Sequence, residues 1–301
     1  MQFLHRLLYW PPLNALLIAL LKTIPGLPAS LRIPPSGPIS VALKNGKKIG
    51  LNTNQTCHVT AVLAWEGSSA YEFSDVFQDL FPQIGCFFDV GSNIGYYTVM
   101  AGVCNPGLEI HAFDPSPGPF EYLQENIAIN KLRKAKAHQL ALSDVAGRFS
   151  FHIAWNKKYP WLKFNSLGGS GHLSHVRENP TLHHVEVEAL TLDAFIEREG
   201  IQQLDLIKLD VEEAEHLVLA GAVGSVRKFR PIIVCEVFSG EMMQKIGEQI
   251  LNQDYLAFRF DEAAKKLIPE DLQNQTSIEK IENYFFVPEE KRQLILKHLA
   301  A

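Results

Sequence analysis

The chain has 301 residues, of which 47% are hydrophobic and 20% charged, so it can bury a full core and has the composition of a globular protein in water. Six Lys and Arg side chains and no Asp or Glu precede Glu66, so the net charge of −5 comes entirely from the rest of the chain. That acidic remainder argues against nucleic acid as a partner, whereas the basic first part favours contact with an anionic surface.

Residues 1–38 combine an apolar run with a linker. Residues 13–21 are apolar on almost every helical face, but a run of this length covers only half of what a helix needs to cross a bilayer. Three interpretations stay open: a helix buried against the main domain, a helix at a membrane surface using residues 1–24, and the core of a signal peptide. The Pro and Gly residues of segment 25–38 predict a linker.

Residues 39–75 predict a small β cap. Residues 39–65 alternate and turn like strands, with a hairpin signal at Asn45-Gly46 between segments 39–43 and 48–51. Residues 72–80 predict a helix that leads into the main domain, which we place at residues 76–301.

The stretch 86–100 predicts strand, loop and helix. Residues 87–90 are apolar, Gly91 and Gly95 bound a turn, and residues 94–100 begin a helical pattern. The Gly91-x-x-x-Gly95 spacing differs from the G-x-G-x-x-G that accommodates a dinucleotide pyrophosphate, and a turn glycine is common in any strand–helix unit. The glycine pair alone therefore favours a structural role.

The next strand, residues 109–113, strengthens the functional interpretation. It ends at Asp114, which follows Asp89 by 25 positions. This offset is close to the spacing of about 20 residues at which an acidic side chain meets ribose hydroxyls. Acids at the ends of two consecutive strands predict a nucleoside site.

Beyond this point strands and helices alternate, which predicts a parallel α/β sheet with helices on both faces. The predicted helices are residues 119–130 and 214–222, and the predicted strands are residues 137–142, 149–154, 204–209, 231–237, 255–260 and 282–287.

Residues 155–185 interrupt the alternation and are rich in Gly, Ser, Asn, His and aromatic residues. A long irregular segment that keeps its aromatic residues predicts a lid over a site rather than disorder. His172 and His175 in this segment are alternative candidates for a general base, although a loop histidine is more often a solvent-facing polar residue.

The four cysteines, Cys57, Cys86, Cys104 and Cys235, share no C-x-x-C spacing. Their pattern favours small buried hydrophobic side chains in a reducing compartment, so we expect a cytoplasmic protein, with membrane association left open by residues 1–24. No His or Cys spacing indicates a metal site, and none is predicted.

Read together, several motifs resemble the FkbM family of S-adenosylmethionine-dependent methyltransferases, over about residues 84–240. The motifs are Phe88-Asp89-Val90-Gly91-Ser92-Asn93-Ile94-Gly95, Ala112-Phe113-Asp114-Pro115, Ala141-Leu142-Ser143-Asp144, Thr191-Leu192-Asp193, Leu206-Ile207-Lys208-Leu209-Asp210-Val211-Glu212, Leu219-Ala220-Gly221-Ala222 and Glu236-Val237.

The resemblance implies the class I methyltransferase fold, a Rossmann-like seven-stranded sheet that ends in a hairpin, with S-adenosyl-L-methionine as cofactor. It implies that the loop from Gly91 to Gly95 passes under the methionine moiety, where backbone N–H groups favour its carboxylate. It also implies that Asp114, an Asp where the family usually has Glu, accepts both ribose hydroxyls. Ser143 and Asp144 would flank the adenine. The implied cofactor-binding set is Asp89, Gly91, Asn93, Gly95, Asp114, Ser143 and Asp144.

The family pattern Asp-Val-Glu-Gly-x-Glu is here Asp210-Val211-Glu212-Glu213-Ala214-Glu215, with Glu213 replacing glycine. Glu213 would be strained if the position needs a positive φ, and favourable if it lies in the first turn of a helix. Asp210, and after it Glu212, are the predicted catalytic residues, acting as a base or orienting group for a hydroxyl. The alternative is a solvated, acidic helix start.

We therefore predict an O-methyltransferase for a sugar, a glycan or another small polyhydroxylated metabolite, and leave the oligomeric state open. One alternative is an NAD-dependent dehydrogenase or epimerase, suggested by the Tyr-x-x-x-Lys spacing of Tyr159 and Lys163. The other is an inactive methyltransferase-like scaffold at a membrane.

Overall fold

The computed structural model describes residues 2–167, 181–250, 254–271 and 281–300. Its strands are β1 (Gly37–Ala42), β2 (Lys48–Thr53), β3 (Cys86–Val90), β4 (Glu109–Phe113), β5 (Ala135–His138), β6 (Ala141–Leu142), β7 (Gly147–Trp155), β8 (Thr181–Leu190), β9 (Leu206–Leu209), β10 (Ile232–Val237), β11 (Tyr255–Asp261), β12 (Lys266–Glu270) and β13 (Glu282–Pro288). Its α-helices are α1 (Gln2–Leu8), α2 (Pro11–Leu21), α3 (His58–Glu66), α4 (Ser74–Leu80), α5 (Tyr96–Cys104), α6 (Pro117–Ile129), α7 (Leu192–Glu199), α8 (Glu215–Ala220), α9 (Val223–Phe229) and α10 (Gly240–Ile250).

The main sheet has the strand order β12-β11-β13-β10-β9-β3-β4-β5. Neighbours from β5 to β10 are parallel, whereas β13 runs antiparallel to both β10 and β11. This confirms the predicted class I sheet with its antiparallel final hairpin. Strand β12 was not predicted; it extends the sheet by an antiparallel edge strand beside β11.

The core lies on both faces of this sheet, because successive side chains of a strand point to opposite sides. Phe87 of β3 packs with Phe77 of α4 and Val99 of α5 on one face. Phe88, the next residue, packs on the other face with Phe195 of α7. Fully buried strands covered by helices explain the unbroken apolar runs of the sequence.

The chain reverses its direction of progress across the sheet at β3, which lies between β4 and β9. Ligands of open α/β sheets bind outside the carboxyl ends of the strands at such a switch point. The residues that follow β3, β4 and β9 are Gly91, Asp114 and Asp210, so the fold brings the predicted site residues to one edge.

Residues 137–142 form two strands in different sheets, so the single strand predicted there was wrong. β5 ends at His138, whose carbonyl accepts the N–H of Asp114, and the chain then leaves the main sheet. β6 pairs instead with β8, in a three-stranded sheet of order β6-β8-β7. The two residues between the short strands, Gln139 and Leu140, are enough for this change of sheet, and neither is a turn residue that would mark it in the sequence.

The predicted hairpin is present as the antiparallel pair β1 and β2. Residues 58–65, however, are not strand: they belong to helix α3, which ends at Gly67 with a φ of +86°. An apolar run without strict alternation fits a helix as well as a strand, and here the helix forms. Val41 and Ile49 of the hairpin share one core with the main sheet.

The segment predicted as a lid is partly regular structure. Its last described residues belong to β8, which pairs with β7 over the full length of that strand. Residues 156–167 are irregular, yet Tyr159, Asn165 and Leu167 are buried. Residues 168–180, with His172 and His175, lie outside the described residues, so these two candidate bases stay predictions.

Candidate active site

The loop after β3 has a fixed shape. Gly91 and Gly95 have φ values of +72° and +87°, and a Cβ on residue 91 would lie 1.8 Å from the carbonyl oxygen of Asp210. The N–H groups of Gly91 and Ser92 donate to the Phe113 carbonyl, each at 2.9 Å, and Gly95 N–H donates to Ser92. These three N–H groups are used in hydrogen bonds that fix the loop. The loop can therefore offer a ligand a surface to lie against, but not these three hydrogen-bond donors.

Asp114 is the buried acceptor at the end of β4. Its Oδ2 accepts the N–H of Asn93 and its Oδ1 accepts the N–H of Ser116, both at 2.9 Å. Burial raises the pKa of Asp114 to about 7, against the opposing effect of these hydrogen bonds. An ionised carboxylate has about four lone-pair sites, so each oxygen retains room for one further donor, which suits a vicinal diol.

A cavity of about 430 Å³ opens beside this loop. One part of its wall, the apolar slot, is built by the short β sheet and the residues before it: Leu140, Ala141, Leu142, Phe149, Phe151, Val187 and Ala189. An apolar wall of this kind suits the face of an aromatic ring such as a purine. The second sheet therefore supplies a wall that the sequence analysis attributed only to Ser143 and Asp144.

The other end of the cavity is charged. Lys208 of β9, which is 4% exposed, places its Nζ 3.0 Å from Asp210 Oδ2 and 3.8 Å from Asp89 Oδ1. Burial alone would lower the pKa of this lysine, but Asp210 and Asp89 outweigh it and hold the pKa above its ordinary value. Lys208 therefore donates a hydrogen bond to Asp210 and lies within ion-pair distance of Asp89.

Two further acids complete this end. Glu72, before α4, accepts a hydrogen bond from the Tyr97 hydroxyl at 2.8 Å, and Glu236 lies in β10; both line the cavity. Burial and then Asp210 raise the pKa of both, that of Glu236 to about 8. We call Lys208 with Glu72, Asp89, Asp210 and Glu236 the Lys208 cluster.

The segment after β9 turns sharply at non-glycine residues. Glu212 and Glu213 have φ values of +56° and +75°, a region that L-amino acids adopt at a cost. The buried carboxylate of Glu215 accepts the Val211 N–H at 2.9 Å and secures the turn. Position 213 therefore has the positive φ that glycine adopts easily, so Glu213, which replaces glycine, is the strained residue of the two alternatives.

We expect Glu213→Gly to raise the free energy of unfolding by about 1 kcal/mol, because glycine adopts this φ without steric cost. Urea unfolding of both proteins measures the difference. Glu213→Ala, which removes the carboxylate but keeps the Cβ, should bring no such gain. Equal stabilisation by Ala and Gly would show that the side chain, and not φ, is the source.

Six of the nine predicted site residues line the cavity: Gly91, Asn93, Asp114, Ser143, Asp210 and Glu212. Asp89, Gly95 and Asp144 do not belong to that wall. Asp89 is fully buried beneath the loop, where its Oδ2 accepts the Thr98 hydroxyl at 2.6 Å. Asp89 is thus placed to orient Lys208 and helix α5 and not to contact a ligand.

The cavity wall includes residues that sequence reasoning did not select. Lys208 lies within one of the family motifs, but only the strand pairing shows that it faces Asp89 and Asp210. Glu72 and His58 come from segments read as a helix start and a strand. The sequence does contain one signal for Lys208: it lies two residues before Asp210 at the end of the strand, and this spacing places both side chains on the same side of the strand.

Tyr159 and Lys163 do not form the pair that a dehydrogenase of this type needs. Both lie in the irregular segment 156–167, where Tyr159 packs edge-on against Tyr9 at 5.7 Å and Lys163 pairs with Glu121 at 2.5 Å. Neither lines the cavity. The dehydrogenase alternative has no support at this site.

The chain is similar to known methyltransferases. It is 32% identical to the 31-O-demethyl-FK506 methyltransferase FkbM of Streptomyces tacrolimicus, over 44% of this chain and 58% of that protein. It is 28% identical to the 2-O-methyltransferase NoeI of Sinorhizobium fredii, over 47% and 59%. The chain is also similar to the crystal structure of the methyltransferase FkbM of Methylobacillus flagellatus. The alignment covers 67% of this chain and 43% of the M. flagellatus chain, with 15% identity and a TM-score of 0.43. The chain thus spans less than two thirds of the length of each of these proteins.

The model of the methyltransferase FkbM domain matches residues 89–262, which contain the glycine loop, Asp114 and Asp210. This family and the class I sheet imply S-adenosyl-L-methionine as the methyl donor. The chain belongs to the FkbM methyltransferase family.

Proposed function

We propose that this protein transfers the methyl group of S-adenosyl-L-methionine to a hydroxyl of a sugar or another small polyhydroxylated acceptor. The observation that carries the proposal is the continuity of one cavity from the apolar slot, past Asp114, to the Lys208 cluster. A nucleoside-binding end and a proton-accepting end in one space are what methyl transfer to oxygen requires.

The residues present fit the methyl donor. The cavity of about 430 Å³ lies within the range of 300–1,000 Å³ in which small ligands bind. The apolar slot suits the adenine, and the two oxygens of Asp114, each already held by one backbone N–H, suit the ribose hydroxyls. The loop from Gly91 would lie against the methionine moiety.

S-adenosyl-L-methionine supplies, when bound, a methyl group on a positively charged sulfur. The protein must orient the acceptor hydroxyl and remove its proton. Asp210 lines the cavity, and Lys208 holds its Oδ2 at 3.0 Å, so its carboxylate is oriented to accept that proton. Asp89 and Thr98 in turn hold the far side of this cluster.

A polyhydroxylated acceptor suits the chemistry of this end. With a pKa of about 8, Glu236 carries a proton at neutral pH and can donate a hydrogen bond, while Asp210 accepts one. An acceptor with several hydroxyl groups satisfies donors and acceptors together. The names of two relatives, which specify methylation at O-31 of one compound and at a 2-O position, support oxygen as the methylated atom.

Calorimetric titration with S-adenosylhomocysteine, NAD and buffer tests the proposal. We expect saturable 1:1 binding of S-adenosylhomocysteine and no heat from NAD. Methyl transfer is then measured with radioactive methyl donor against a panel of sugars and glycans. Binding of NAD in preference to S-adenosylhomocysteine, or binding of neither, would overturn the proposed function.

Asp114→Ala should raise the dissociation constant of S-adenosylhomocysteine tenfold or more, since hydrogen bonds to a charged acceptor contribute about 1.5–3 kcal/mol. Asp114→Glu, which restores the family's usual residue, is the matched control and should bind nearly as well as the native protein. An unchanged affinity for Asp114→Ala would remove this residue from the binding site.

The affinity for S-adenosylhomocysteine should also depend on pH through Asp114. Its pKa is about 7 in the protein alone, and only the ionised form accepts both ribose hydroxyls. The affinity should therefore fall about tenfold from pH 8 to pH 6 as the carboxylate takes up a proton. Asp114→Asn cannot ionise and should give a flat profile. The same pH dependence in Asp114→Asn would assign it to another group.

A further inference from the structure

Helices α1 and α2 carry an apolar surface that the rest of the described chain does not cover. The exposed apolar side chains of the helices are Phe3, Leu4, Leu7, Leu16 and Leu20, with Trp10 and Ile24 beside them, and the exposed fraction of Phe3 is 78%. In α2 every residue except Asn14 is apolar, although only Asn14 and Ile18 are buried. A helix that is apolar on all sides is normally enclosed by protein or by lipid.

Helix α2 is held with this surface facing outward. Asn14 donates to the carbonyl of Pro34 at 3.1 Å and accepts the N–H of Ser36 at 2.8 Å. Pro11 packs so closely on Gly37 that a Cβ there would lie 2.5 Å from the proline Cβ. One face of α2 is thus fixed to the linker, and the opposite face, with Leu16 and Leu20, points away from it. This arrangement disagrees with a helix buried in the main domain.

The surroundings of these helices are positively charged. No acidic residue occurs among residues 2–65, and Arg6 and Lys22 are exposed within or beside the helices. The contact of Tyr9 with Tyr159 brings segment 156–167 next to them. That segment adds the exposed Lys157 and Lys158 and contains no acidic residue.

No single helix among the described residues has the length and apolar character to cross a bilayer. The pair α1 and α2, taken together and bent by 71°, passes that test of length and composition.

We propose that residues 2–24 form a docking face for the surface of an anionic lipid bilayer. Leu4, Leu7, Leu16 and Leu20 would enter the boundary between headgroups and acyl chains, while the cations around them meet the anionic headgroups. Exposed apolar side chains with Arg6 and Lys22 beside them match an anionic bilayer better than a second copy of the chain, because two copies would bring these cations together.

The docking face adjoins the wall of the cavity. Tyr159, which Tyr9 contacts, belongs to the same irregular segment as Leu167, and Leu167 lines the cavity. The carbonyl of Leu167 accepts the side-chain N–H of Asn93 in the glycine loop at 2.8 Å. Docking would therefore hold the cavity near the lipid surface. The docking itself does not depend on the proposed methyl transfer.

Co-sedimentation of the full chain with lipid vesicles tests the proposal. We expect binding to vesicles of phosphatidylcholine mixed with phosphatidylglycerol, and binding about tenfold weaker to phosphatidylcholine alone. High salt should release much of the protein, because at about 1 M ionic strength charges are screened within roughly 3 Å. Absence of binding to the anionic vesicles would overturn the proposal.

Leu20→Glu places a charge on the docking face, and Leu296→Glu is the matched control in the C-terminal 3₁₀ turn, with exposed fractions of 56% and 55%. Leu20→Glu should weaken vesicle binding about tenfold or more, and Leu296→Glu should leave it unchanged. Both variants should keep the native unfolding midpoint and the native affinity for S-adenosylhomocysteine, because neither side chain lines the cavity.

Equal binding by Leu20→Glu and the native chain would overturn the proposal. Sedimentation without lipid tests whether a second copy of the chain occupies this face instead. A dimer of the native chain that Leu20→Glu dissociates would assign the face to that second copy. If the native chain binds the vesicles but does not bind S-adenosylhomocysteine, the proposed function is overturned and the proposed docking face is not affected.

Discussion

Asp210→Asn should lower the turnover number for methyl transfer by about 10²–10⁴-fold, the contribution of a positioned general base. The substitution keeps the size of the side chain and an oxygen that can accept from Lys208 Nζ, which lies 3.0 Å from Oδ2. It removes the ability to take up the acceptor proton. Because Asp210 is proposed to act on the acceptor and not on the methyl donor, the affinity for S-adenosylhomocysteine should stay within about twofold of the native value.

The measurements are single-turnover methyl transfer and calorimetric titration on the same preparation. Asp271→Asn, an exposed residue after β12, controls for the change of net charge. A fully active Asp210→Asn would remove Asp210 from the mechanism. If Glu212→Gln lowers turnover by this factor while Asp210→Asn stays active, the role passes to Glu212.

Lys208→Met should lower the free energy of unfolding by about 3–5 kcal/mol, because it leaves carboxylates buried without their cation. Asp89 is fully buried beside it, and its Oδ1 has Lys208 Nζ as the cation at 3.8 Å. Met replaces most of the volume of the lysine stem, so a cavity adds little to this loss. Urea unfolding at neutral pH measures it.

The double variant Asp89→Asn, Lys208→Met separates charge from packing. Since it removes the unpaired buried carboxylate together with the lysine, it should be destabilised less than the sum of the two single variants. Strict additivity would show that Asp89 and Lys208 do not interact.

The sequence predicts this molecule best where local signals follow one another along the chain. Strand β3, the loop at Gly91 and helix α5 follow one another within about 20 residues, so their sequence signals support each other. Asp114 is selected because it follows the next strand. The structure brings these together as predicted, because parallel strands end at the same edge of the sheet.

Residues that converge from distant segments were harder to predict. Glu72 precedes the main domain, and Lys208 and Glu236 lie in strands whose neighbours are known only from the pairing of β3, β9 and β10. A single charged residue inside an apolar strand shows that a charge is buried, but not which partner it meets.

Two local patterns were ambiguous in themselves. Residues 58–65 form a helix because an apolar run without alternation satisfies either structure, and tertiary packing decides between them. The glycine position filled by Glu213 could be strained or favourable, and only the observed φ of +75° distinguishes the two.

The most direct test of the account is a crystal structure of the protein with S-adenosylhomocysteine. We predict electron density for the adenine in the apolar slot between Leu142 and Phe149, and for both ribose hydroxyls within about 2.6–3.0 Å of Asp114. The sulfur should face Asp210. An adenosyl group bound elsewhere, or a cavity closed by its own side chains at saturating ligand, would contradict it.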